Sequence, residues 1–200
     1  MLKATELTCE RGGRTLFQGL SFELGGGELL RIAGENGKGK TSLLRILCGL
    51  LDPVAGEVRW RDEPIRSLRE DYSRELVYLG HAPAVKDELT PAENLEITCR
   101  LAGKEVSSQR VRAALEQFGL TGNPTTKRLS QGQRRRAALA RLLLSESIPL
   151  WLLDEPFSAL DAAAARFTEG LIAEHVARGG AAIYTTHQEA GITASRVIEL

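Results

Sequence analysis

The run Gly34-Glu35-Asn36-Gly37-Lys38-Gly39-Lys40-Thr41 has the spacing G-x-x-x-x-G-K-[ST], a set of residue types suited to holding a polyphosphate. Gly34, Gly37 and Gly39 let the backbone enter conformations closed to other residues, so successive N–H groups can converge on a β-phosphate. Lys40 is expected to reach the β- and γ-phosphates, and the Thr41 hydroxyl to join the oxygen shell of a Mg²⁺ ion. The second chemical segment is Leu150-Trp151-Leu152-Leu153-Asp154-Glu155, an apolar strand ending in two acids. Asp154 is placed to hold the Mg²⁺, and Glu155, next along, to polarise a water that attacks the γ-phosphate. Leu129-Ser130-Gln131-Gly132-Gln133 is a third: Ser130 as N-cap and Gln133 three residues later spell a capping box, and a helix start there would form another anion site.

These residues need elements that position them. The phosphate loop lies between the strand-like Glu28–Ala33 and a helix-like stretch that includes Thr41, Ser42 and Leu43–Leu47, the strand–loop–helix context the motif requires. Before it, Leu2–Cys9 and Gly19–Leu24 read as strands, with turns at Arg11–Arg14 and Gly25–Gly27. Gly56–Trp60 is a further strand. From about Thr90 to Leu144 the pattern turns helical: Pro91–Leu101 with Thr90 as cap, Ser107–Phe118, and Ser130 through Leu143. The closing part alternates: strand Leu150–Leu153, helix Ala162–Ala177, strand Ala181–Thr185, a short helix after His187, and strand Arg196–Leu200. This order implies an α/β phosphate-loop fold with a mainly parallel core sheet, an N-terminal antiparallel β part and an inserted α-helical subdomain. The expected division is a core of about 1–82 and 146–200 with a helical part of about 83–145, all within one domain of 200 residues.

Composition narrows the function classes. Net charge is zero, and aromatic residues are 5%, with none among Arg134-Arg135-Arg136, so that run reads as a solvated helix face and no nucleic-acid partner is expected. Cys9, Cys48 and Cys99 are too far apart for a redox pair or zinc site and read as small buried hydrophobes in a reducing compartment. No apolar run approaches 20 residues and no signal peptide follows Met1, so membrane association is expected to come through a partner.

The phosphate loop, Leu129–Gln133, Asp154-Glu155-Pro156, Ser158-Ala159-Leu160-Asp161 and Thr186-His187 occur in one order, and in that order the whole chain resembles the nucleotide-binding subunit of an ATP-binding cassette (ABC) transporter. The resemblance implies a head-to-tail homodimer enclosing two ATP molecules, in which Ser130, Gln131, Gly132 and Gln133 of one subunit face the phosphate loop of the other. It also puts Asp161 at the dimer seam and His187 on the γ-phosphate, positioning the water of Glu155. Three positions depart from the family's commonest form. Gln131 replaces a glycine, His81 stands where a glutamine usually links the nucleotide to the transmembrane subunits, and Arg11 stands where an aromatic ring usually stacks on adenine, with Phe17 as another candidate.

Cys9-Glu10-Arg11, Tyr78-Leu79-Gly80-His81, Trp151–Phe157 and Thr185-Thr186-His187-Gln188 narrow the resemblance to the ATP-binding subunits of bacterial cytochrome c maturation, a group described as haem exporters. That group implies ATP hydrolysis on the cytoplasmic face of the inner membrane, coupled to integral-membrane partners. It implies no direct haem contact by this subunit. Rival readings are an ATPase of another small transporter, a soluble ABC ATPase working on DNA or ribosomes, and a phosphate-loop kinase. The soluble ATPases usually carry two cassettes or a coiled-coil insertion, for which 200 residues leave no room, and a kinase leaves Ser130–Gln133 without a use.

Overall fold

Apolar runs at five places along the chain assemble into one parallel sheet of order β6-β7-β8-β3-β9 in a computed structural model, which describes residues 1–187 and 191–200. The strands are β3 (Leu29–Ala33), β6 (Leu76–Leu79), β7 (Leu150–Asp154), β8 (Ala181–Thr185) and β9 (Arg196–Glu199). Every residue of β7 and β8 is buried, as expected for central strands covered on both faces. Their side chains divide by the two-residue period. Leu150, Leu152 and Ile183 join one core cluster, and Trp151, Leu153 and Tyr184 join the other.

The first cluster is closed by α1 (Lys40–Leu47) and by a second, antiparallel sheet of order β2-β1-β4-β5. Its strands are β1 (Leu2–Arg11), β2 (Arg14–Leu24), β4 (Ala55–Trp60) and β5 (Glu63–Pro64). The second strand begins at Arg14, five residues before the expected Gly19; its outer stretch is polar and exposed, and a register shift at Leu7 opposite Leu20 interrupts the alternation. Gly56, at positive φ, lies where a Cβ would collide with the carbonyls of Thr5 and Glu6, so β1 and β4 meet there too closely for any other residue.

The second cluster is closed by helices between β6 and β7 and by α7 (Ala162–Ala177). After the short α2 (Ile65–Leu68) and α3 (Glu70–Arg74) come α4 (Pro91–Leu101), α5 (Ser108–Gln117) and α6 (Gln131–Leu139). Thr90 caps α4 with both bonds of a capping box to Glu93, and Ser107 caps α5. α6 stops at Leu139 and tightens into a 3₁₀ turn, Ala140–Leu144, where one continuous helix was expected. The short helix expected after His187 falls on residues 188–190, outside the described residues. Among the described residues no helix is long and apolar enough to cross a membrane.

Candidate nucleotide site

The carboxyl ends of β3 and β7 open on the same edge of the sheet, where parallel α/β folds hold their ligands. Between β3 and α1 the loop turns through positive φ at Gly34, Gly37 and Gly39, and Gly39 is the N-cap of α1. A Cβ on Gly39 would stand 3.0 Å from Leu16 Cβ and 3.2 Å from a ring carbon of Phe17, so the antiparallel sheet presses directly on the loop. Lys40, the first residue of α1, is buried, and its ammonium donates to the carbonyls of Gly34 (2.6 Å) and Glu35 (3.0 Å). It therefore lies along the inside of the loop, beside the positive end of the helix.

Facing it, the end of β7 carries a connected set of polar groups. The Thr41 hydroxyl donates to Asp154 Oδ2 at 2.8 Å, and the fully buried Thr185 hydroxyl donates to Asp154 Oδ1 at 2.8 Å. That same Thr185 oxygen accepts the Glu155 N–H at 2.9 Å. Glu155 is a non-glycine residue at φ 50°, a costly backbone state held in place by its surroundings. Its Oε2 lies 3.0 Å from His187 Nδ1. Thr41 and Asp154 offer two hard oxygens side by side, and among the described residues no group of three or more His, Cys, Asp or Glu forms a metal cage. This donor set suits Mg²⁺, which keeps most of its shell for water and phosphate oxygens, better than a metal that demands a full protein cage.

A cleft of about 630 Å³ brings together Arg11, Asn36, Gly37, Gly39, Lys40, Thr41, Ser42, His81, Asp154, Glu155 and His187. Of the remaining loop residues, Gly34 and Glu35 supply the carbonyls that Lys40 meets, and Lys38 closes a turn on Glu35. Leu16 also lines the cleft, near Arg11. Phe17 does not: it is buried in the first core cluster beneath the loop, so the alternative of Phe17 as a stacking ring is withdrawn.

Ser130–Gln133 and Asp161 lie outside this cleft. Ser130 caps α6, its hydroxyl accepting the Gln133 N–H at 3.2 Å while Gln133 Oε1 accepts the Ser130 N–H at 2.8 Å. Asp161 caps α7 by accepting the Ala164 N–H at 2.8 Å. A Cβ on Gly132 would stand 2.7 Å from the Ala159 carbonyl, so only glycine lets α6 approach the segment that leads from Glu155 to α7. The arginine run is not one solvated face. Arg134 pairs with Asp87 at 2.7 Å and Arg136 donates to the Phe118 carbonyl, but Arg135 is only 3% exposed. Its spacing contained the signal, since Arg135 and Leu139 fall at i and i+4 on the buried side of α6.

The fold and the site together define an ATP-binding cassette, and the ABC transporter family model matches residues 17–158. Among solved structures, a dimeric bacterial ABC transporter cassette superposes with a TM-score of 0.87 at 24% identity, over 100% of this chain and 94% of that one. An ABC transporter ATP-binding protein from Pyrococcus furiosus gives 0.85 at 23% identity, over 100% and 96%. At such identities these likenesses establish the fold. Curated relatives are closer. "Cytochrome c biogenesis ATP-binding export protein CcmA" of Dechloromonas aromatica is 54% identical over 100% of this chain and 98% of its own length. Its namesake from Pseudomonas aeruginosa is 44% identical over 100% and 99%. The chain belongs to this CcmA family of ABC transporter ATP-binding proteins.

Proposed function

We propose that the protein hydrolyses ATP to drive an export step of cytochrome c biogenesis, with the connected groups from Thr41 to His187 as its catalytic end. The observation that carries the reading is the convergence on one cleft of a phosphate loop, the Thr41–Asp154 pair and a Glu155 carboxylate beside His187. Loop amides and Lys40 bind the phosphates, and the guanidinium of Arg11, which lines the cleft, would stack on the base. Thr41 and Asp154 would hold Mg²⁺, which supplies positive charge to the phosphate oxygens. Glu155 takes a proton from the attacking water, and His187 orients that carboxylate and meets the γ-phosphate.

Ser130–Gln133 would act on the ATP of a second copy in a head-to-tail dimer, with Asp161 at the seam. The helical part, about 83–145, would move against the core of about 1–82 and 146–200, and His81 would carry that movement to integral-membrane partners. We place the subunit on the cytoplasmic face of the bacterial inner membrane, with haem, or the release of a haem-loaded chaperone, as the business of those partners. The test is Glu155→Gln. It should bind ATP with unchanged affinity, stall turnover and accumulate an ATP-bound dimer on a sizing column; wild-type hydrolysis would refute the role of Glu155.

A further inference from the structure

Arg135 belongs to none of the motifs above, yet it touches more of the site's backbone than any of them. One guanidinium nitrogen donates to the carbonyls of Gly80 (2.8 Å) and His81 (3.3 Å), and the other donates to those of Asp154 and Glu155 (2.7 Å each). Four carbonyls from the ends of two neighbouring strands, β6 and β7, thus converge on one buried cation that no carboxylate among the described residues neutralises through a direct hydrogen bond. A buried charge is costly unless it is well solvated by fixed dipoles, and among the described residues its Nε still lacks a partner. An apolar side chain of the same length would take this donor from all four carbonyls at once, so the arginine ties the two strand ends together through α6.

The contact with Glu155 indicates what the cost supports. Glu155 sits at positive φ, and both polar atoms of its backbone are held: the N–H by Thr185, the carbonyl by Arg135 and, at 3.1 Å, by the Ser158 N–H. Two of the other three carbonyls, those of Gly80 and His81, belong to the segment that carries His81 into the cleft. Arg135 itself rides on α6, five residues after Ser130, the cap at the helix start. We propose that Arg135 is a positioning residue that fixes the aim of Glu155 and His81 according to how α6 is docked, so that the carboxylate is aligned only while that helix is seated. The proposal rests on the reading of Glu155 as the base.

The test compares Arg135→Lys and Arg135→Met in the full-length chain assembled with its membrane partners, with turnover counted per bound nucleotide so that any misfolded fraction drops out. Lysine keeps the charge and one nitrogen but cannot span both carbonyl pairs, whereas methionine keeps only the packing. The expected result is a kcat lowered about tenfold in Arg135→Lys and about 10²-fold in Arg135→Met, with the KM for ATP within about twofold of wild type. Wild-type kcat per site in both variants would overturn the proposal, and so would parallel losses of kcat and ATP affinity, the mark of a merely structural arginine. Glu155→Gln, assayed alongside, separates the two claims. If it turns over normally the base is wrong, whereas if it stalls and both Arg135 variants run normally only the positioning role falls.

Discussion

Replacing Thr185 by valine preserves shape and removes one oxygen that serves two buried partners. That hydroxyl donates to Asp154 Oδ1 and accepts the Glu155 N–H, and Thr185 and Asp154 are both almost wholly inaccessible to solvent. An N–H stranded without a partner costs about 1–3 kcal/mol, and a lost hydrogen bond to a charged carboxylate about 1.5–3 kcal/mol. Asp154 keeps the Thr41 bond, and two effects routed through one atom do not add fully, so we expect about 3–5 kcal/mol in all. Against a total stability of roughly 5–15 kcal/mol this is severe. Thr185→Ser is the control: it keeps the oxygen and loses a methyl, for about 1 kcal/mol. Urea unfolding without nucleotide or Mg²⁺ measures both, and thermal unfolding should place Thr185→Val roughly 6–20 °C below wild type. If the valine and serine variants differ by less than about 1 kcal/mol, the hydroxyl does not anchor the end of β7 as argued.

Two further outcomes follow from the geometry. Lys40→Ala removes the buried ammonium at the loop and should lower ATP affinity by at least about tenfold, read by a fluorescent-nucleotide titration; equal affinity would separate Lys40 from the phosphates. His175 lies stacked on Trp151 at a ring separation of 3.9 Å, and burial holds its imidazole neutral to lower pH than usual. The unfolded chain therefore takes up this proton first, so the stability that His175 contributes is intact above about pH 6.5 and is lost as pH falls through the depressed folded value. His175→Phe keeps the stack and should flatten the dependence between pH 7.5 and 5.5; an unchanged slope would assign it to other groups.

Much of the site could be read before the fold was seen, because its parts are local. The phosphate loop, the end of β7 and the caps Thr90 and Ser130 each lie within a few residues and use distinctive side chains. What stayed hidden depends on distance in the chain. β6 is four residues long, and so short an apolar run has no periodicity of its own; only pairing with β7 makes it a strand. In sequence Arg135 reads with its neighbours as a solvated face, because charge in a row of three outweighs helical spacing. Its partners, Gly80 and Glu155, lie 55 and 20 residues away, and a backbone carbonyl leaves no trace in the residue types. Thr185 stands in the sequence as a strand end and as the start of Thr185-Thr186-His187-Gln188, and neither shows that its hydroxyl joins Asp154 to Glu155.

The pressure of Leu16 and Phe17 on Gly39 bears on how such a site can change over generations. The hairpin of β1 and β2 has a fixed flank beside a free tip. Leu16 and Phe17, just past the turn, are wedged against the loop with no room for a Cβ on Gly39, whereas Arg11 and Arg14 at the tip are exposed. Substitutions at Leu16 or Phe17 would disturb the loop and be lost. Those at the tip can change the side chain that Arg11 brings to the cleft while the loop stays as it was. The two parts of one hairpin thus drift independently although so few residues separate them.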